Sequence, residues 1–511
     1  MTRPDEDGWQ RLDARMLLIG PLDTLRQFAV PVVIALVGIS SSRGTFDPGL
    51  LLIMLAVPVV LGLLPWLTTR YRITDTQFQQ RRGLLSRQQL TAPLDRVRSV
   101  DLESSLLQRA LGLAKVKIGT GVDETRIELN ALSLAQAEEL RRFLLARGAA
   151  AVPAPPPVVW TQSTDNQASD VPFRNNRQPP PDDPPAVLAR IDWSWLRFAP
   201  FSLGRLAIVA GAVGVLAQWG EDLPFLDAEH IDAAWRWVTG FALVLVVLAT
   251  LVVALLAWLV ISVVGYVVQW WDLRLTREHG TIRLAAGLLT TRSTSVEEAR
   301  VRGVELVEPV LLRTVNGAEL STLATGVGEG GVTKVLPPCP REVCQEVGQA
   351  ILGAPRPLVA ALVPHGPAAR RRAHVRAQRP AVVVTLGLLA ATGFAGWPWW
   401  PPVVAALVLV PGGAAAGEVA YRNLGHLLTP AHLTSGDPAV QRRRQVLERD
   451  GVIGWVIGQS LFQRRRGLAT LTATTAAGKE RVAVRDLPLE QAVRLAALVT
   501  PGAVVPFLAD P

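Results

Sequence analysis

From Thr239 to Val268 the chain reads TGFALVLVVLATLVVALLAWLVISVVGYVV, without one charged residue. A helix needs about 20 mostly apolar residues to cross about 30 Å of hydrocarbon, and a helix apolar on every side has no place on the surface of a soluble domain. The run therefore fixes the solvent around which the chain is built: a bilayer. Five further apolar segments follow, and the six fall into pairs. Phe28 to Ser41, with its flanks, pairs with Leu50 to Leu67; Phe198 to Trp219 pairs with the long run; Ala381 to Trp397 pairs with Pro401 to Gly417, the last pair being interrupted by Gly and Pro. Trp66, Trp219, Trp270, Trp271, Trp397, Trp399 and Trp400 mark the ends, as aromatic belts do at membrane interfaces. Composition agrees, with 49% hydrophobic and 19% charged residues.

The flanks give the orientation. Arg70, Arg72, Arg81 and Arg82 follow the first pair and ARRRAHVRAQR precedes the third, while the second pair is joined by the acidic GEDLPFLDAEHIDAAW. Positive residues stay inside, so both termini and every long polar segment are expected in the cytoplasm of a multi-pass protein of the bacterial plasma membrane. The first residues, MTRPDEDGWQRLDAR, lack the apolar core of a cleaved signal peptide. A net charge of +9 placed beside apolar runs suits a lipid surface rather than nucleic acid.

Each pair is followed by a polar segment, and these segments repeat. RVRSV at 96–100 returns as RVRGV at 300–304; Gly83-Leu84-Leu85 returns as Gly287-Leu288-Leu289; SLLQRALGL from Ser105 returns as SLFQRRRGL from Ser460. Within the first copy, Val116 and Ile118, then Ile127 and Leu129, alternate around a turn as in a hairpin with one buried face. Ser133 and Gln136 then stand in capping-box spacing before an amphipathic helix. The unit is two membrane helices plus one module of short strands closed by a helix, written three times.

The pattern YRIT…GLLSR…PLDRVRSV…SLLQRALGLAKVKI resembles the bacterial pleckstrin-homology (bPH2) family, and its union with membrane helices resembles the YdbS/YdbT-like membrane proteins. The matching residues are Tyr71, Thr74, Gly83, Arg96, Val97, Val100, Leu107, Arg109, Gly112 and Leu113. The resemblance implies a membrane α-helical plus β fold: three repeats of a helix pair followed by a PH-like module, two nearly orthogonal antiparallel sheets with a C-terminal helix. Expected boundaries are an N-terminal cytoplasmic segment 1–25, helix pair 26–68, module 69–148, Pro-rich linker 149–190, helix pair 191–270, module 271–355, basic linker 356–379, helix pair 380–420 and module 421–511. The later copies depart from the pattern: Pro93 becomes Glu297, Pro438 falls where Gly83 would, and Gly451 replaces Arg96.

Chemistry-bearing motifs are sparse. TGVGEGGVTKV fits GxGxxG, but a strand rather than a helix follows, so it reads as a hairpin turn. Cys339 and Cys344 lack the further ligands a zinc site needs, and the six histidines and the carboxylates form no catalytic spacing, so no enzyme, metal or cofactor is expected. Arg96, Arg98, Arg300, Arg302, Arg464 and Arg465 are the candidate lipid or partner contacts, each with a bland alternative as a packed or solvated strand-end arginine. The leading expectation is a non-enzymatic scaffold whose modules bind protein partners or one another, self-association included, at the inner membrane surface, with envelope maintenance or stress a family-level suspicion. Recognition of anionic headgroups is the second reading. Transport is the third, and against it only Arg205 and Glu418 stand as ionisable candidates in the helices.

Overall fold

The computed structural model describes residues 9–22, 24, 48–74, 77–83, 88–93, 99–119, 127–150, 186–201, 242–278, 280–325 and 331–504. The expected segments Phe28–Ser41 and 202–219, the Pro-rich stretch up to 185, and Arg96, Val97, Arg98 and Arg205 lie outside them.

The first copy comprises β1 (Gln10–Arg11), helix α1 (Pro48–Thr68), strands β2 (Arg70–Ile73), β3 (Gln77–Arg82), β4 (Gln88–Pro93), β5 (Ser99–Ser105), β6 (Leu113–Gly119) and β7 (Ile127–Ser133), and helix α2 (Leu134–Ala150). The second comprises β8 (Ala186–Arg190), α3 (Ala242–Trp270), β9 (Arg274–Glu278), β10 (Thr281–Ala286), β11 (Thr290–Glu297), β12 (Val301–Glu308), β13 (Gly317–Ala324), β14 (Val332–Pro340) and α4 (Arg341–Leu352). The third comprises α5 (Pro367–Ala395), α6 (Trp400–Asn423), β15 (Gly425–Leu428), β16 (His432–Gly436), β17 (Arg442–Glu448), β18 (Gly454–Gly458), β19 (Leu468–Thr474), β20 (Arg481–Pro488) and α7 (Leu489–Val499). Among the described residues three helical stretches are long and apolar enough to cross a membrane, Val252–Trp270, Pro367–Ala395 and Trp400–Asn423, and a shorter apolar stretch covers Ala56–Thr68.

Local chemistry recurs at equivalent places. Ser105 caps the one-turn helix Leu106–Ala110 in a capping box with Gln108, and Ser460 does the same with Gln463 before Leu461–Arg464; the second copy has Pro309 there and no side-chain cap. The turn after each short helix needs a left-handed residue, supplied by Gly112, Asn316 and Gly467 with φ of 69°, 57° and 64°. In each copy the carbonyl of that residue accepts from the first N–H of the closing helix, at Leu134, Arg341 and Leu489. The expected capping box at Ser133 and Gln136 is present.

The sheets do not respect the copy boundaries. Among the described residues four occur, in the orders β1-β2-β3-β4, β7-β6-β5-β11-β10-β9-β8, β14-β13-β12-β17-β16-β15 and β18-β19-β20. Compact units cut the sequence differently again: one comprises Met1–Ile191 with Leu203–Ser295, the other Asp192–Ser202 with Val296–Pro511, so the division falls within the second copy. In the first unit Tyr71, Phe78, Val100, Leu102, Leu113, Val116, Ile118, Leu129 and Leu144 form one core, with the Tyr71 and Phe78 rings stacked 6.4 Å apart. In the second, Leu433, Leu471, Val484, Leu487 and Leu495 build the core of the third module beneath α7.

Several expected boundaries move. Residues 186–190, assigned to the Pro-rich linker, form β8 on the edge of β9, because Ala186–Arg190 is free of the prolines that precede it. Residues 193–201, assigned to the second helix pair, form a 3₁₀ helix with Trp195 and Phe198 buried; a Cβ on Gly317 would lie 2.7 Å from Phe198, so this aromatic stretch fills a protein core. The basic linker is helical from Pro367 onward, a proline at the first turn where its missing N–H costs nothing. The Gly-rich stretch in Pro401–Gly417 is no interruption: Gly413 and Gly417, in small-xxx-small spacing, let α6 pack directly against Ala377, Gln378 and His374 of α5.

Extended chain before the apolar helix or helices described in each copy pairs with the strand that follows them. β1 pairs with β2 and β8 with β9, both antiparallel; before the third pair the element shrinks to one bridge, Val363 with His426.

Candidate functional site

The site the fold builds is the strand junction between consecutive copies, and it occurs twice. In the first unit β11 lies antiparallel to β5, placing Thr290 opposite Ser105, Arg292 opposite Glu103 and Ser293 opposite Leu102. In the second unit β17 lies antiparallel to β12, placing Arg442 opposite Glu308, Arg443 opposite Val307, Arg444 opposite Leu306 and Leu447 opposite Gly303. Under the sequence alignment of the copies, Leu102 corresponds to Leu306 and Ser293 to Arg444. The two junctions thus share one register.

Both are laced by charge across the seam. Glu103 faces Arg292 at 3.8 Å as an ion pair and pairs more closely with Lys117 at 2.9 Å. Glu305 meets Arg443 at 3.3 Å, and the buried Glu308 meets Arg442 at 3.6 Å and Arg341 at 3.4 Å. Arg444 is buried and donates to the Leu358 carbonyl at 2.5 Å; burial, reinforced by neighbouring Arg442, pushes its guanidinium down to about 10. At the first junction the buried Arg141 of α2 reaches Ser295 at 3.2 Å and Glu138 at 2.5 Å. Backbone approach at the second is closest at Gly303, where a Cβ would fall 2.0 Å from the Val446 carbonyl oxygen.

The predicted contacts distribute unevenly. Arg300 pairs with Glu297 at 2.6 Å and Arg302 with Glu448 at 3.3 Å, so both are engaged within the protein. Arg464 and Arg465 are exposed on the turn before Gly467. Of the family-pattern residues, Tyr71, Val100 and Leu113 are core, Gly83 and Gly112 occupy positive φ, Thr74 closes the β2–β3 turn through Gln77, and Leu107 is exposed. Arg109 donates to the Leu288 carbonyl of the second copy, which makes it a further tie between modules.

The basic run before the third helix pair proves to be structural at its centre. Arg372 lies 2.6 Å and Arg376 3.8 Å from the buried carboxylate of Asp486, which also accepts from Gln463 at 2.9 Å. Arg370 and Arg422 pair with Glu418, at 2.9 and 3.3 Å. Beside them His365 hydrogen-bonds the Arg485 carbonyl at 2.8 Å and His426 at 3.0 Å; burial, then the second imidazole, lowers it to about 4. Sequence spacing gave no hint of this pair, since 61 positions separate its members and the sheet alone unites them. Cys339 and Cys344 are buried free thiols with sulfurs 3.2 Å apart, and burial raises Cys344 well above the usual thiol range. A cleft of about 620 Å³ at the foot of α3 is lined by Arg109, Trp271, Arg274, Glu278 and Arg283, among others. Its arginines are already partnered, Arg274 with Asp272 at 3.0 Å and Arg283 with Ser293 at 3.2 Å.

Repeated strand sets, each closed by a helix and preceded by apolar helix, define a membrane protein of tandem PH-like modules. The chain belongs to the family described as Bacterial PH domain, whose model matches three times, at residues 27–148, 206–342 and 381–502. A curated relative, the UPF0699 transmembrane protein YdbT of Bacillus subtilis (strain 168), is 19% identical over 459 residues, covering 88% of each chain. No solved structure matches.

Proposed function

We propose that the protein is a non-enzymatic scaffold of the bacterial plasma membrane whose three modules, all on the cytoplasmic side, present surfaces to protein partners. The observation that carries this reading is the pair of strand junctions. Strand pairing ties module to module through backbone hydrogen bonds and cross-strand ion pairs, where a chain of independent binding domains would use loose linkers. Fixed modules suit a surface that holds partners in register, and several modest contacts on one chain add through effective concentration. The strand before each helix pair supports the shared compartment, since the chain leaves and rejoins the same sheet edge around each pair. A role in envelope maintenance or stress is part of this proposal.

The test is photo-cross-linking in native membranes from the exposed positions Glu139, Glu346 and Glu490. Proteins joined reproducibly at salt that screens exposed charges support a scaffold; adducts to lipid alone, with no protein joined, would reject it. The second reading, headgroup recognition, is favoured by the cleft lined by Trp271 and Arg274, the latter still half-exposed beside Asp272, and it predicts that an anionic lipid raises the melting temperature of the purified full chain in a salt-dependent way.

A further inference from the structure

Two edges of the repeated sheet pattern are left over at the ends of the array. In the first copy β4 is the counterpart of β11 and β17, the strands that dock onto a preceding module, and it is the terminal strand of its sheet. In the third copy β18 is the counterpart of β5 and β12, the strands that receive a docking strand, and it too is terminal. Among the described residues nothing pairs with the outer edge of either.

We infer that β18 of one chain receives β4 of a second copy, so that the two internal junctions continue from molecule to molecule. This deepens the scaffold reading and rests on it, naming the partner as the chain itself. Three observations carry it. The first is register: mapping either internal junction onto the terminal strands gives the same pairing, Trp455 opposite Thr91, Val456 opposite Leu90 and Ile457 opposite Gln89. The second is exposure. The sequence Val452–Gly458, VIGWVIG, has no charge and no proline, the devices with which lone edges are blunted, and Ile453, Val456 and Ile457 are 71%, 55% and 41% exposed. The counterpart strand β12 alternates mostly buried residues beneath its partner.

The third observation is matched loss of charge. The pair Glu103 and Arg292 of the first junction maps onto Gly458 and Gln88; of the second junction's pair, Glu308 maps onto Gln459, while Arg442 maps onto Arg87, just outside β4. Carboxylates have left the receiving edge where Arg292 and Arg443 have been replaced by Gln88 on the docking edge. Within β4 and β18 themselves a neutral strand meets a neutral strand, whereas β18 against a strand like β17 would leave Arg443 unpaired. The contact is heterologous, since each chain offers two different edges, and such contacts generate rings or open rows.

Disulfide trapping in membranes containing the full chain tests this. Cells making a Leu90→Cys chain together with a Val456→Cys chain should give a cross-linked dimer on mild oxidation, and one chain carrying both should give a ladder. Adding Ile457→Lys to the double variant should abolish the ladder. A dimer from Val456→Cys alone would overturn the inference in favour of symmetric edges, and an internal cross-link confined to the monomer would overturn it too. So would the absence of product from both this pair and the adjacent Gln89→Cys with Ile457→Cys, in chains shown to be folded and membrane-inserted. If photo-cross-linking joins other proteins but never copies, this inference falls and the scaffold stands; if it joins no protein at all, the scaffold reading falls as well.

Discussion

The carboxylate of Glu305 lies 3.3 Å from the guanidinium of Arg443 across the seam between the second and third copies, with Gln445 donating to the same carboxylate at 3.1 Å. Glu305 is largely buried on the receiving strand β12, so the contact belongs to the interior of a sheet that two repeats share. The repeats are therefore not folding units in the sense their sequence suggests: the first and third copies each share one of their two strand sets with a neighbour, and the second shares both.

The seam can be opened at its closest point. Gly303→Val drives a side chain into the Val446 carbonyl, with no flexible atom to yield. It should cost about 3 kcal/mol, the range of an overpacked core site, and make the stretch between α4 and α5 newly sensitive to protease. Limited proteolysis of the purified full chain reads both, and an unchanged digestion pattern would count against the β12–β17 pairing.

Asp486 holds α5 to the third module through Arg372 and Arg376. Its φ of 54° suits Asn as well as Asp, so Asp486→Asn removes charge while keeping the backbone and an oxygen for Gln463. Breaking a buried pair from one side costs about 3–5 kcal/mol. Thermal unfolding in detergent should show a large drop for Asp486→Asn and little change for the exposed Arg371→Gln.

His365, lowered to about 4, makes stability fall in mild acid. The unfolded imidazole titrates near 6.5 and the folded one near 4, so between these values the unfolded state holds more protons; stability is present above pH 6.5 and is lost as pH falls toward 4. Burial also lowers His426 and His432, which adds in the same direction. His365 alone accounts for roughly 3 kcal/mol across the window. Melting curves at pH 7.5 and 5 should differ, and His365→Asn should narrow the difference.

Topology is checked by single cysteines at Glu139, Glu346 and Glu490, one exposed site in each module. An impermeant thiol reagent should label none in intact cells and all three after the cells are opened, the native Cys339 and Cys344 being buried. Labelling of Glu490→Cys alone in intact cells would place the third module outside.

Much of this was readable from the chain because hydrophobic periodicity and capping act locally. The alternation at Val116, Ile118, Ile127 and Leu129, and the Ser105 and Ser460 boxes, depend on near neighbours in sequence. The seams were not readable, for alternation tells which face of β5 is buried and says nothing of which strand lies beside it. Arg109 and Arg141 find their partners, Leu288 and Ser295, only in the second copy, which no local pattern around them announces. Gly413 and Gly417 read as interruptions because hydropathy scores a glycine as weakly apolar and is blind to its use as a place of close approach. Phe198 was assigned to lipid since an aromatic ring buried in protein and one buried in a bilayer leave the same mark.

The strand that precedes the apolar helix of a copy has a consequence for biosynthesis. β1 leaves the ribosome before α1, and its partner β2 after it; the same order holds for β8 with β9 and for Val363 with His426. Each pairing joins chain made before the apolar helices of a copy to chain made after them, so the sheet is complete only once those helices have been synthesised. The leading strand of each copy therefore waits without its mate while the apolar stretch behind it emerges.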